Sequence, residues 1–297
     1  MLLVIPARRR SLGGFEVGRV LPFAQHRMVG PFVFFDHMGP VVMPPDIPHD
    51  ADVRPHPHIG LSTVTYLFEG EITHRDSTGA QQAIHPGEVN WMTAGRGITH
   101  SERFDGMRAR GGEMHGVQTW VALPEADEET EPGFDHYAGE DLPTFTEPGV
   151  LLRLIAGQAF GARSPVRTFS PLFYAHGALH DGGRVAAPAD YSERAIYVAR
   201  GLVEAEGRLF DTGEMLVFAP GESAEVRAHG PADVMLLGGE PVGPRHIWWN
   251  FVASRPERIE QAKADWQAGR IPLPPNDRDE FIPLPDEPPT PKPEPMS

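Results

Sequence analysis

Residues 54–60 read RPHPHIG: two histidines stand two apart, and each follows a proline. Pro55 and Pro57 push Arg54 and His56 out of the helical region into extended backbone. In an extended chain, residues two apart share a face, so His56 and His58 point the same way with Cα atoms about 6–7 Å apart. That separation lets two imidazoles converge on one cation at roughly 2.0–2.2 Å each. Prolines within a strand also confine it to an edge or rim, where a missing N–H is harmless.

A second set of candidate ligands lies in GRGITHSERF, residues 95–104. With a period of two, Ile98, His100, Glu102 and Phe104 share one face, and Thr99, Ser101 and Arg103 share the other. An ionisable pair on an otherwise apolar face needs a partner or carries a large desolvation cost. A divalent cation shared with His56 and His58 would remove that cost. Three histidines and one glutamate suit iron, nickel, copper, manganese or zinc. An HxH pair alone is a weak signal, since isolated histidines usually sit on surfaces or bond water. The weight comes from the second pair, set between glycine-rich turns.

The elements that must position these residues are short strands. The chain has 297 residues, 40% of them hydrophobic, with 32 Gly and 32 Pro, a composition of dense turns and few long helices. Alternating apolar runs recur at 32–40, 62–70, 115–123, 195–201 and 233–239 and predict strands. Residues 66–102 and 197–229 follow the same order of strands and Gly turns, a weak internal repeat that implies two β-domains in tandem. The acidic stretches 124–133 and 140–149 read as an exposed linker. The expected division is 1–135, a linker at 136–148, a second domain at 149–282, and a Pro-rich disordered tail at 283–297. One helix is expected over 255–268 within the second domain. It has a Ser254–Glu257 capping box, proline in the first turn, Ile259, Ala262 and Trp266 on one face, and Gly269 as its stop.

The formal charge is −15, from 41 acidic against 26 basic residues, which disfavours direct nucleic-acid binding. The basic run Arg8–Arg10 reads as a solvated turn. Cysteine is absent, so disulfides, thiolate metal sites and cysteine nucleophiles are excluded. The N-terminal apolar run is too short for a signal peptide, and no run is long enough to span a bilayer, so a cytoplasmic protein without membrane contact is expected.

HPHIGLSTVTYLFEG, HRDS and PGEVNWMTAGRGITHSE resemble the pirins of the cupin superfamily. The likeness extends through VGPFVFFDHMGP, HGVQTWVALP, HIWWNFVASRPERIEQAKADW and EFIPLP, nearly the whole chain except the tail. It implies an all-β bicupin: two tandem, stacked antiparallel β-barrels with a short C-terminal helix. It also implies one mononuclear divalent metal in the first barrel, iron(II) first among the candidates, held by His56, His58, His100 and Glu102. The second barrel would lack a metal, in keeping with ADYSERAIYVARG (189–201), which has no HxH. One departure is Ser62, where cupins generally carry a glutamate; with Glu102 supplying an oxygen, that glutamate is not expected to be required.

Other polar residues have structural readings. His74 and Asp76 are expected in a loop, with Asp76 bonding turn amides. His37 is expected to be a hydrogen-bonded structural histidine. Of His115 and Gln118, on one strand, at most one can face the site. Trp248 and Trp249 are expected to pack the C-terminal helix. No phosphate loop or nucleophile elbow is present.

The resemblance implies cleavage of a flavonol such as quercetin with dioxygen, with Glu102 taking the 3-hydroxyl proton. The competing expectation is a redox-sensitive iron-binding regulator that binds a protein partner, transcriptional or metabolic. A metal that only stabilises the barrel is a third.

Overall fold

In a computed structural model the described residues are 3–11 and 16–286. They form a mostly β protein in which the expected strands appear, among them Phe32–Met43, Leu61–Glu69, Gly112–Ala122, Glu193–Arg200 and Ala232–Gly239. Among these residues the α-helices are Asp105–Arg110 and Pro256–Gln267, and neither is long and apolar enough to cross a membrane. The distal tail, 287–297, lies outside the described residues. The described part of the tail, 283–286, includes Leu284, which packs against the cluster of Ile59, Phe251 and Trp266, just after Ile282 N–H donates to the Pro55 carbonyl at 2.8 Å.

The chain divides into two compact units, one drawn from residues 1–9, 18–37 and 137–242, the other from 10–17, 38–136 and 243–297. Each contains a four-stranded antiparallel sheet. In the unit with the histidines its order is Val53–His58, Ile98–Arg103, Ile72–Asp76, Gln81–Ile84. In the other it is Arg184–Ala186, Glu225–Ala228, Leu202–Ala205, Arg208–Asp211. Both take their strands in the chain order first, fourth, second, third, so the weak repeat in the sequence is a repeat of topology. The larger sheets also correspond. The run Val89–Thr93, Leu61–Glu69, Gly112–Ala122, Phe32–Met43 matches Glu214–Phe218, Glu193–Arg200, Ala232–Gly239, Leu172–Leu179.

Several local expectations change. Arg8–Ser11 is a strand rather than a turn, and the Arg8 guanidinium donates to the carbonyls of Arg19, Val20 and Pro22. The stretch expected as a linker is built into the fold. Thr144–Glu147 pairs with Val150–Ala159, and Glu128 is buried against Arg245 at 3.1 Å. The C-terminal helix packs not with the expected second domain, 149–282, but with the histidine unit: Ile259, Ala262 and Trp266 bury against Ile59 and Phe251, beside Trp248 and Trp249. Its stop at Gly269 is as expected, with φ of 66°. The capping box does not form, because Glu128 accepts both the N–H and the hydroxyl of Ser254.

The glycine of HPHIG has a steric reason. Gly60 has φ of 67°, and a Cβ there would lie 2.1 Å from the Val252 carbonyl oxygen. The histidine strand therefore leads into a turn pressed against the backbone of the C-terminal segment, where only glycine fits. Gly60→Ala is expected to lower stability by at least about 2 kcal/mol in urea unfolding. An unchanged midpoint would show that the segment gives way freely.

Candidate metal centre

The strand Val53–His58 lies at the edge of its sheet, where its prolines leave no ladder donor unmade. It pairs antiparallel with Ile98–Arg103, with His100 opposite His56 and Ile98 opposite His58. The register then shifts, so that Glu102 stands opposite Val53. Arg54 and Pro55 thus oppose the single residue Ser101, which is a β-bulge. The freed Arg54 carbonyl accepts from His56 Nδ1 at 2.8 Å.

One nitrogen from each of His56, His58 and His100 lies within 4.8 Å of the other two, and all three side chains are buried. Their ring centroids are 4.4–5.0 Å apart. Each Nδ1 already has a partner: the Arg54 carbonyl for His56, the Asn250 carbonyl at 3.1 Å for His58, and His74 Nδ1 at 3.4 Å for His100. A carbonyl can only accept, so His56 and His58 carry their proton on Nδ1 and keep the Nε2 lone pair free. His58 Nε2 is buried with no hydrogen-bond partner. Left alone, such a group costs about 1–3 kcal/mol. Three neutral imidazoles with converging lone pairs, one of them orphaned, fit a first-row divalent cation.

Glu102 is buried on the same strand but is not within the triad's grouping. Its Oε1 accepts from Gln118 Nε2. Burial pushes its carboxyl up to about 7, against the opposing effect of that hydrogen bond. Burial also lowers His56 to about 4 and holds His58 and His100 well below the ordinary imidazole range. Trp120 meets His58 edge-on, with centroids 5.1 Å apart.

Of the pair on Gly112–Ala122, Gln118 reaches the site, whereas His115 is buried against Phe68. His37 bonds Tyr197 Oη at 2.7 Å in the other unit, a structural role. Ser62 is buried, its hydroxyl 3.2 Å from that of Thr93. His74 and Asp76 are in a strand, Ile72–Asp76, and not in a loop. Asp76 does bond the turn, accepting from Thr78 N–H, Thr78 Oγ1 and Ala80 N–H, but its other oxygen holds His74 Nε2 at 2.8 Å. Burial alone would raise the Asp76 carboxyl; the bonds from His74 and Thr78 outweigh it and keep the group low. Alternation along ITHRD could have placed both side chains on one face. The Asn250 carbonyl leaves no sequence signal at all.

The strand Arg184–Ala186, which corresponds by topology to Val53–His58, carries no histidine. Among the described residues, His56, His58 and His100 are the grouping able to hold a metal.

The sequence matches the family model described as Pirin over residues 14–121 and that of the Pirin C-terminal cupin domain over 174–272. It is similar to a Pirin-like protein of Caulobacter vibrioides, 62% identical over 285 residues, spanning 96% of this chain and 99% of the relative. Among solved structures it is similar to a quercetin 2,3-dioxygenase from Acinetobacter baumannii, with a TM-score of 0.89 and 31% identity over 99% of this chain and 98% of that one. A bacterial pirin from Escherichia coli, solved in complex with nickel(II), shares the fold with a TM-score of 0.62 and 19% identity, over 81% of this chain and 100% of that one.

The neutral imidazoles set the acid stability of the metal-free protein. Each histidine binds a proton more readily unfolded than folded, so stability is lost as pH falls below 6.5, for His56 over the range from 6.5 to about 4. Glu102 works in the opposite sense, losing stability as pH rises from 4.5 to about 7, but it is one group against three. The melting temperature of the metal-free protein should therefore fall from pH 7 to pH 5. His58→Asn should flatten that slope in a thermal scan; an unaltered slope would remove the histidines as its cause.

Proposed function

This chain belongs to the pirin family and has a cupin-type bicupin fold, and we propose that it is a metal-dependent dioxygenase of the quercetin 2,3-dioxygenase type, acting on a flavonol with dioxygen. In this reading each unit is an antiparallel cupin barrel, and the histidine unit holds one divalent metal, iron(II) before nickel, copper, manganese or zinc. The matching strand order of the two units and the clustering of the three histidines support it. The observation that carries the reading is the buried, unpartnered His58 Nε2, converging with its two neighbours.

His56, His58 and His100 would hold the metal, with Glu102 as the carboxylate of the set. When bound, the ion supplies a Lewis acid for the flavonol oxygens and, if redox-active, a route for electrons towards dioxygen. Glu102 receives the proton of the flavonol 3-hydroxyl. Glu102 is buried on the same strand as His100, beside the three histidines, which makes it the carboxylate suited to take that proton. Gln118 fixes the carboxylate's orientation through its amide N–H. Trp120 beside His58, and the apolar residues on the flanking strands, keep bulk water from the reacting atoms.

Reconstitution with each metal in turn, followed by quercetin in air, tests the proposal. Turnover is expected with at least one metal, to stop without oxygen, and to fall by roughly 100-fold or more in Glu102→Gln. Undiminished turnover under anaerobic conditions would end the dioxygenase reading. Silence with every metal and several flavonols, together with redox-dependent capture of a protein partner, would favour the regulator instead.

A further inference from the structure

The imidazole of His100 differs from its two neighbours in what stands behind it. His56 and His58 each lean on a backbone carbonyl, which can only accept a proton. His100 leans on another imidazole, His74, whose nitrogen can either donate or accept. Nothing in the His74–His100 contact itself therefore decides which nitrogen of His100 keeps its lone pair. The decision lies one residue further out.

Asp76 Oδ1 is committed to the turn, taking Thr78 N–H at 2.8 Å, Thr78 Oγ1 at 2.6 Å and Ala80 N–H at 3.3 Å. Its Oδ2 faces His74 Nε2 at 2.8 Å. A carboxylate with no proton of its own draws the His74 proton onto Nε2. His74 Nδ1 is then an acceptor, and it can meet His100 Nδ1 only if that nitrogen carries a proton. The His100 lone pair is left on Nε2. The His74 ring cannot easily turn over to escape this, since it lies nearly parallel to Phe134, at 14° and 4.3 Å between centroids, and is itself buried.

Resting on the metal centre proposed above, we infer that Asp76 and His74 are positioning residues. They form a relay, Asp76 to His74 to His100, that fixes the tautomer of His100 so that its Nε2 can bind the metal. The Asp76 carboxylate bonds His74, Thr78 and Ala80 rather than His56, His58 or His100, although its backbone stands opposite His100 in the sheet. Its effect travels as the placement of two protons.

Asp76→Asn is the discriminating variant because the amide can keep its oxygen on the turn donors. Its NH2 then faces His74 Nε2, which must become an acceptor. The His74 proton moves to Nδ1, where it opposes a proton on His100 Nδ1, and His100 is driven to the tautomer protonated on Nε2. Zinc(II) affinity, read by competition with a chromophoric chelator, is expected to fall about 10- to 100-fold in Asp76→Asn. His74→Phe should fall in the same range while keeping its stack on Phe134. His74→Gln, with an oxygen to accept from His100 and an NH2 to give to Asp76, should bind more tightly than His74→Phe. Thr78→Val, which loosens the turn but not the relay, should lower the melting temperature and leave zinc affinity within about threefold of the original, well short of the relay variants.

Long-range proton–nitrogen NMR of the unaltered protein loaded with zinc gives a second reading that needs no variant. His100 protonated on Nδ1 and His74 protonated on Nε2 are expected, and the reverse tautomer at His100 overturns the relay. So does zinc affinity in Asp76→Asn equal to that of the original protein while His100→Ala loses the metal. If His100→Ala and His58→Ala also keep full zinc affinity, it is the metal centre itself that fails.

Discussion

The histidine unit is organised around one electrostatic requirement: three imidazoles must stay neutral, buried and turned so that their lone pairs meet. Each condition opposes something. Burial removes water that would have bonded the rings, and crowding them would be prohibitive if any were charged. The local architecture answers with acceptors placed behind the rings. A bulge frees the Arg54 carbonyl, a distant segment brings up the Asn250 carbonyl, and a neighbouring strand supplies His74. The prolines of the HPH strand belong to the same solution. They hold an edge strand extended and remove N–H groups that would otherwise lack partners.

The opposite faces of these strands are secured by charge. Ser101 and Arg103, which alternate with His100 and Glu102, both reach Asp277, and Arg103 also reaches Glu280. Arg103 is buried along with Asp52, 3.5 Å away. Buried ion pairs of this kind contribute little net stability compared with apolar packing, yet breaking one leaves an uncompensated charge and is costly. They therefore act as fasteners. The histidine face is polar and convergent, while the reverse face is tied to the segment that follows the C-terminal helix.

Much of this was legible in the sequence because it follows from period-two alternation. RPHPHIG and GRGITHSE declare their faces, and proline and glycine declare where strands stop, so the strands and the three histidines could be read directly. The helix was legible in its apolar stripe but not in its cap. Glu128, read as part of a solvated acidic run, is in fact buried and takes both groups of Ser254. The tertiary partner outcompeted the local one. The placement of the helix was also hidden, because nothing in a linear pattern says that residues after 242 return to the unit that holds residues 38–136. The partner of His74 is hidden for a related reason: the turn accounts for one Asp76 oxygen, and nothing in the linear sequence marks the other as the acceptor for His74.

The Asn250 carbonyl that holds His58 is separated from it by 192 residues of chain. During synthesis a chain emerges N-terminus first, at about 5–20 residues per second. The histidines leave the ribosome long before their last support exists. A nascent chain can fold its early strands, but until residue 250 arrives it has an HPH motif without a fixed tautomer at His58. The Nδ1 proton of His58 is thereby fixed only once the segment around residue 250 has joined the early strands.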